Sequence, residues 1–210
     1  MSDARQKIIQ TALALLDEVG LEGLTMRGLA SKLCIQAPSL YWHFKNKQEL
    51  LNAMMDSMLM LYLQPSEQFA ISGPWQVQIH ARAKSLRSML LSHRDGVLVF
   101  CRKVSISHNS MRVMNDLTQV LLDAGFKPKD AARCVFSLWH YVIGFVLEEQ
   151  KTTGAHALVD LNQLKQELRN KVTPEYSGLF MSYEWFFDAD IDARFEFGIQ
   201  LLLSGLALQS

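Results

Sequence analysis

Apolar residues recur along the chain at helical spacing, and strand-like alternation is almost absent. In the first segment Ile8, Ile9, Ala12, Leu13, Leu15, Leu16 and Val19 fall on one helix face. Asp3 with Gln6 resembles a capping box at its start, and Gly20 is a natural stop. Thr25 is placed to cap a second helix through about Leu33, with Met26, Leu29, Ala30 and Leu33 inward. Pro38 sits in the first turn of a third, where its missing N–H costs nothing. Asn46 with Glu49 again looks like a cap, and the helix it opens buries Leu50, Leu51, Met54, Met55, Met58 and Leu59. A small unit covering residues 1–62 is expected, with a helix-turn-helix at about 25–44.

Residues 63–210 form the expected second, larger unit. Pro65 to Gly73 reads as a connector, and Pro74 starts a helix to about Ser92 with Trp75, Ile79, Ala83, Leu86 and Leu90 on one side. His93 to Gly96 is a turn, followed by a short apolar helix to about Cys101. Ser110 to Ala124 is amphipathic and ends at Gly125. Pro128 opens a helix to about Gln150 that is apolar nearly all round, which demands burial on most sides by the chain itself or by a second copy. Lys151 to Thr173 is polar and expected to be partly mobile. Two more helices follow, near Pro174–Phe187 and Ile191–Leu208. No internal repeat interrupts this all-α pattern.

Composition narrows the class. An apolar fraction of 49% over 210 residues is ample for a core and argues against disorder. Lysine and arginine total 21, as do aspartate and glutamate, so any attraction to nucleic acid must come from a local patch. Cys34, Cys101 and Cys134 form no CxxC pair and suit a reducing compartment. The N-terminus has no apolar signal core, and Val135 to Leu147 is too short to span a bilayer, so a cytoplasmic protein without membrane contact is expected.

The local patch lies at residues 25–47, which hold Arg27, Lys32, His43, Lys45 and Lys47, with no acid between Arg27 and Lys47. A helix-turn-helix lays its second helix in the major groove. Here Gln36 to Phe44 would be that helix. Gln36 and Ser39 can hydrogen-bond base edges or phosphate, and Ala37 and Pro38 offer contact to a thymine methyl. Tyr41, Trp42, His43 and Lys47 would mostly grip backbone, and Arg27 could reach a phosphate or a guanine. Tyr41 and Trp42 could instead be core aromatics, but Leu40 and Phe44 already serve that purpose, which turns Trp42 and His43 outward.

Three stretches carry a family resemblance: Ala12 to Gly20, Leu24 to Ala30, and Pro38 to Lys47 (Pro-Ser-Leu-Tyr-Trp-His-Phe-Lys-Asn-Lys). They resemble the N-terminal domain of the TetR family of transcriptional repressors. Leu90 to Gly96 and Gly144 to Gln150 are similar to the C-terminal domain of its tetracycline repressor subgroup. The resemblance implies an all-helical homodimer that binds a palindromic double-stranded operator and is released by a small effector. It places DNA contacts on Met26, Arg27, Gln36, Ala37, Pro38, Ser39, Tyr41, Trp42, His43 and Lys47. Ala37 stands where the subgroup has a base-reading glutamine, so a different operator is expected. Cys34 replaces the glycine usual in the turn, where positive φ would bring strain.

The resemblance also locates an effector pocket among residues 60–150. Leu63, Arg82, Leu86, Phe100, Val104 and Leu117 stand where the subgroup carries two histidines, two amides, a phenylalanine and an arginine. Of its polar groups only His140 and Glu148 remain, and Phe100 cannot ligate a metal, so magnesium–tetracycline recognition is not expected. His140 and Glu148 lie about 80° apart around their helix. They are either ligand groups with room at Gly144, or a satisfied core histidine and a solvated acid. The expected lining is Leu63, Leu86, Met89, Phe100, Met114, Leu117 and Val142, with Arg82 as partner for an anionic group. That lining suits an apolar effector. No nucleophile, metal set or glycine-rich phosphate loop accompanies it, so an enzyme is the weaker reading and neither cofactor nor metal is expected. A C-terminal half serving only dimerisation or protein docking remains the alternative.

Helices at about 128–150 and 191–208 would pair across a two-fold axis as a four-helix bundle. That pairing would hold two recognition helices roughly 34–36 Å apart.

Overall fold

The computed structural model describes residues 3–63, 72–102, 106–153, 157–187 and 189–207. Among these there are eleven α-helices and no strand. The head comprises α1 (Asp3–Gly23), α2 (Met26–Lys32), α3 (Ala37–Tyr41) and α4 (Lys47–Tyr62). The body comprises α5 (Trp75–Leu91), α6 (Gly96–Cys101), α7 (His108–Asp123), α8 (Pro128–Thr152), α9 (Leu161–Lys171), α10 (Ser177–Phe186) and α11 (Ile191–Ala207). The expected connector lies largely outside the described residues.

Local chemistry accounts for most of the boundaries. Thr25 Oγ1 accepts from Gly28 N at 3.0 Å and starts α2. Asn46 Oδ1 accepts from Glu49 N at 2.8 Å and starts α4. Ser107 and Ser110 form a reciprocal capping box that opens α7 two residues earlier than the periodicity suggests. Gly20 does not end α1. It kinks the helix at φ 71°, and a further turn runs to Gly23. Val19, expected on the buried face, is 40% exposed just before that kink.

Two expectations about the body need correction. The polar stretch after residue 151 contains a helix, α9, capped by Asp160, which accepts from Asn162 N and Gln163 N. Half-buried Leu161, Leu164 and Leu168 form its one apolar stripe, and the helix packs against α10. The second correction concerns Val135 to Leu147. These residues sit in a helix of 25 residues, long and apolar enough to cross a membrane by length and composition alone. In this fold α8 packs instead on α5, α6, α7 and α11.

One hydrophobic core runs from Ile8 to Leu203. α4 links its two parts, touching α1 on the head side and α5, α6 and α7 on the body side. Met54, Met55 and Met58, none with exposed surface, fill that junction.

Candidate nucleic-acid interface and regulatory body

The turn between α2 and α3 is a Schellman motif. Ile35 N donates to Ala30 O and Cys34 N to Ser31 O, both at 3.0 Å. Its left-handed position is Cys34, at φ 55°. The strain expected from replacing glycine is therefore present in the backbone.

α3 is shorter than the sequence suggests, a single turn of five residues whose C-cap is Trp42. Leu40 and Phe44 are fully buried and anchor it. With those two inward, Gln36, Pro38, Ser39 and Tyr41 are exposed, Ala37 and His43 are half-buried, and Trp42 is 89% exposed. Arg27 is exposed on α2 nearby. Met26 departs from its expected role as a DNA contact: it is buried, because the inward face of α2 needs it beside Leu29 and Ala30. Lys47 is half-buried, and its Nζ donates to Leu21 O at 3.0 Å, which ties it to the end of α1. Burial, and then the nearby Arg102 charge, lower its pKa.

Arg5 supports this surface and had no signal in the sequence. Its guanidinium lies 4.1 Å from the Phe44 ring centroid. It donates to His43 O and, at 3.2 Å, to Glu49 Oε1. Glu49 Oε2 in turn accepts from Lys45 N at 2.9 Å, and this backbone bond, with the Arg5 contact, holds the Glu49 carboxyl below the usual carboxylate range. The end of α3 is thus fixed by a residue 38 positions away.

Head and body meet at a polar joint. Asp17 accepts from Arg94 N and pairs with His93 Nδ1, both at 2.9 Å. Asp95, left-handed at φ 57°, accepts from Leu21 N at 2.8 Å. A Cβ on Gly20 would come within 2.9 Å of that same Asp95 oxygen. Gln48 Nε2 donates to Arg102 O at 2.7 Å, joining α4 to the end of α6. A cleft of about 750 Å³ opens beside this joint, lined by Asp17, His93, Arg94, Val97, Leu98 and Leu147 among others.

The expected effector lining separates into groups. Leu86, Met89, Leu117 and Val142 are buried, while Leu63, Phe100 and Met114 are half-buried. Val104 lies outside the described residues. Arg82 does not await an anion: it is buried, with Nε and Nη2 on Asp116 at 2.8 and 3.0 Å. His140 and Glu148 are both exposed, so neither satisfies the chain's own core nor lines its interior. The buried carboxylate on α8 is the next residue, Glu149, which takes a two-pronged bond from Arg87 at 2.8 and 2.6 Å. Arg87 also reaches Asp192 at 2.7 Å and lies 4.7 Å from the Phe195 ring centroid. This pairing fastens α5 to α8 and α11. Tyr141 Oη donates to Phe195 O at 2.8 Å, over Gly198, where a Cβ would collide with the phenol. Among the described residues no cluster of three metal-ligating side chains occurs.

A capped helix, a tight left-handed turn and a short exposed helix, carried on a larger helical body, define a helix-turn-helix DNA-binding regulator. The model for the "Bacterial regulatory proteins, tetR family" matches residues 8–54, and that for the "Tetracyclin repressor-like, C-terminal domain" matches residues 71–209. The chain belongs to the TetR family of bacterial transcriptional regulators. It is 33% identical over 205 residues to the class C tetracycline repressor of Escherichia coli, covering 96% of this chain and 90% of that protein. It also superposes on ActR of Streptomyces coelicolor in complex with actinorhodin, with TM-score 0.86, 30% identity and coverage of 99% and 98% of the two chains. A TetR variant of Acinetobacter baumannii in complex with minocycline superposes with TM-score 0.71 and 30% identity, covering 100% and 99%.

Proposed function

We propose that this protein is a homodimeric repressor that binds a palindromic operator through residues 25–44 and is released by a small, largely apolar effector. The reading rests on one observation above the others: Trp42, 89% exposed, stands beside exposed Tyr41, Ser39 and Pro38 on a helix anchored by Leu40 and Phe44. Such a group serves little in the fold and suits a phosphate backbone with groove edges. Gln36, Ala37, Pro38 and Ser39 read bases, while Arg27, Tyr41, Trp42 and His43 grip backbone. Met26 and Lys47 position the surface from beneath.

The division into a head of residues 1–62 and a body of residues 63–210 belongs to the same proposal, with α4 as the lever between them. Dimerisation is assigned to α8 and α11. Phe136, Phe197 and Leu201 are at least half exposed there, and nothing lies within 4 Å of where a Cβ would sit on Gly144 or Gly205. That leaves room for a second pair of helices to approach closely. His140 and Glu148 face outward on α8 and would meet the second copy. Burying this face within a dimer would keep α8 out of a membrane, in line with a cytoplasmic regulator.

The effector occupies the region of Leu86, Met89, Phe100, Met114, Leu117 and Val142. With Phe100 in place of a metal ligand and Arg82 committed to Asp116, magnesium–tetracycline has no seat there. The complex of ActR with actinorhodin is a precedent for a small-molecule ligand on this fold. A ligand releases DNA only as far as it prefers the splayed dimer, and reversing a 99:1 balance needs about 5.5 kcal/mol of such preference.

Trp42→Ala tests the assignment. Operator affinity should fall about tenfold on every sequence, with helicity unchanged, as measured by anisotropy titration and circular dichroism. Unchanged affinity with an intact fold would remove α3 from the interface.

A further inference from the structure

We propose that the indole N–H of Trp139 donates a hydrogen bond to the effector, which is therefore a planar aromatic bearing a neutral carbonyl-type acceptor. The proposal rests on the effector reading above and narrows it to a chemical class. Trp139 Nε1 is buried and meets no acceptor among the described residues. A buried donor left in that state is a cost the fold carries, and an indole can be satisfied only by an acceptor.

The surroundings specify the rest of the ligand. Trp139 stands on α8 with its ring edge-on to Phe100 of α6, 5.7 Å away at 84°. On its other side is Phe136 at 6.3 Å and 71°, and Phe136 in turn lies 6.2 Å from the His140 ring. Phe136 and His140 continue this row outward onto the α8 face assigned above to the second copy, which leaves the Phe100 and Trp139 rings to the ligand. Their faces and edges suit another flat π-system, offset-stacked or edge-on. Charge selects against an anionic acceptor: Arg82 is paired with Asp116, and Arg87 with Glu149 and Asp192. A ketone or quinone oxygen provides the acceptor without a carboxylate's need for a cation. The position also links binding to release, because Phe100 belongs to α6. That helix is joined to the head at both ends, through Asp95 and through the Arg102 carbonyl.

The test uses the full-length dimer and two probes that differ only in the carbonyl, fluorenone and fluorene. Trp139→Phe keeps the ring and removes the donor. It should weaken fluorenone about tenfold and leave fluorene unchanged. Equal losses for both probes would mean a packing role, and no loss for fluorenone would mean no hydrogen bond; either overturns the proposal while the effector site stands. If neither probe binds the unaltered protein, the apolar-effector reading falls and takes the proposal with it. Should the variant fold poorly, the unaltered protein gives an independent readout. Of the indole N–H resonances from its 4 tryptophans, one should move downfield with fluorenone and not with fluorene. An unmoved set overturns the assignment.

Discussion

The exposed aromatics of the head and those of the body have opposite surroundings. Tyr41 and Trp42 stand among hydroxyls, an amide and cations on a one-turn helix. Phe136 and Phe197, with the aliphatic Leu201, stand on two long helices, Phe136 beside the Trp139 and His140 rings. Exposure therefore carries different meanings in the two places. A ring among lysines and serines suits a polyanion, whereas rings on long helices that also carry open glycines suit another pair of packed helices. The neighbours of an unburied ring, more than its exposure, indicate what covers it.

The strongest way to break this contrast is Leu201→Glu. A charge on the α11 face should convert the dimer to monomer in sedimentation. Operator affinity should fall at least a hundredfold, on the order of 3 kcal/mol, because two half-sites would no longer be bound together. A dimer that survives the change would place the interface elsewhere. A smaller effect is expected at the joint: Gly20→Ala forces a β-carbon into a positive-φ, extended residue and against Asp95, costing about 1–3 kcal/mol, read as a lower melting temperature.

Cys34→Gly sharpens the comparison from the head side. It relieves the left-handed strain in the Schellman turn and should raise stability by about 1 kcal/mol, with dimer affinity unchanged. The smallest effect concerns pH. Glu49 has its folded pKa depressed by the Lys45 N–H and Arg5, so its contribution is full above the unfolded carboxylate pKa of about 4.3 and lost as pH falls through the folded value. Acid titration of stability should therefore steepen below about pH 4, and Glu49→Gln should flatten that limb. An unchanged limb would show that the Glu49 bonds do not couple to folding.

What the sequence made legible was mostly local. Thr25 and Asn46 each act within a few residues, and their spacing was enough to locate caps, whereas the strain at Cys34 was expected from the family resemblance, which puts glycine there. The inward pairing of Leu40 with Phe44 likewise foretold the outward turn of Trp42. Contacts across the fold were illegible. Nothing near Arg82 signals Asp116, 34 residues on, and nothing near Arg5 signals Phe44. The choice between Glu148 and Glu149 depends on a 100° step around α8, which only packing against α5 decides. α9 was missed because its three leucines cover a narrow stripe on an otherwise polar segment, although Asp160 offered a usable cap.

The three buried methionines of α4 have a mechanical consequence. Branched side chains at such a pivot would interlock, and tilting the rod would open voids whose cost rises with their volume. Unbranched thioethers can change rotamer and follow the moving surface, so the seat stays filled through a small rocking motion. Met54, Met55 and Met58 thus form a compliant bearing, and stiffening it with isoleucine would slow the exchange between grip and release more than it would weaken either state.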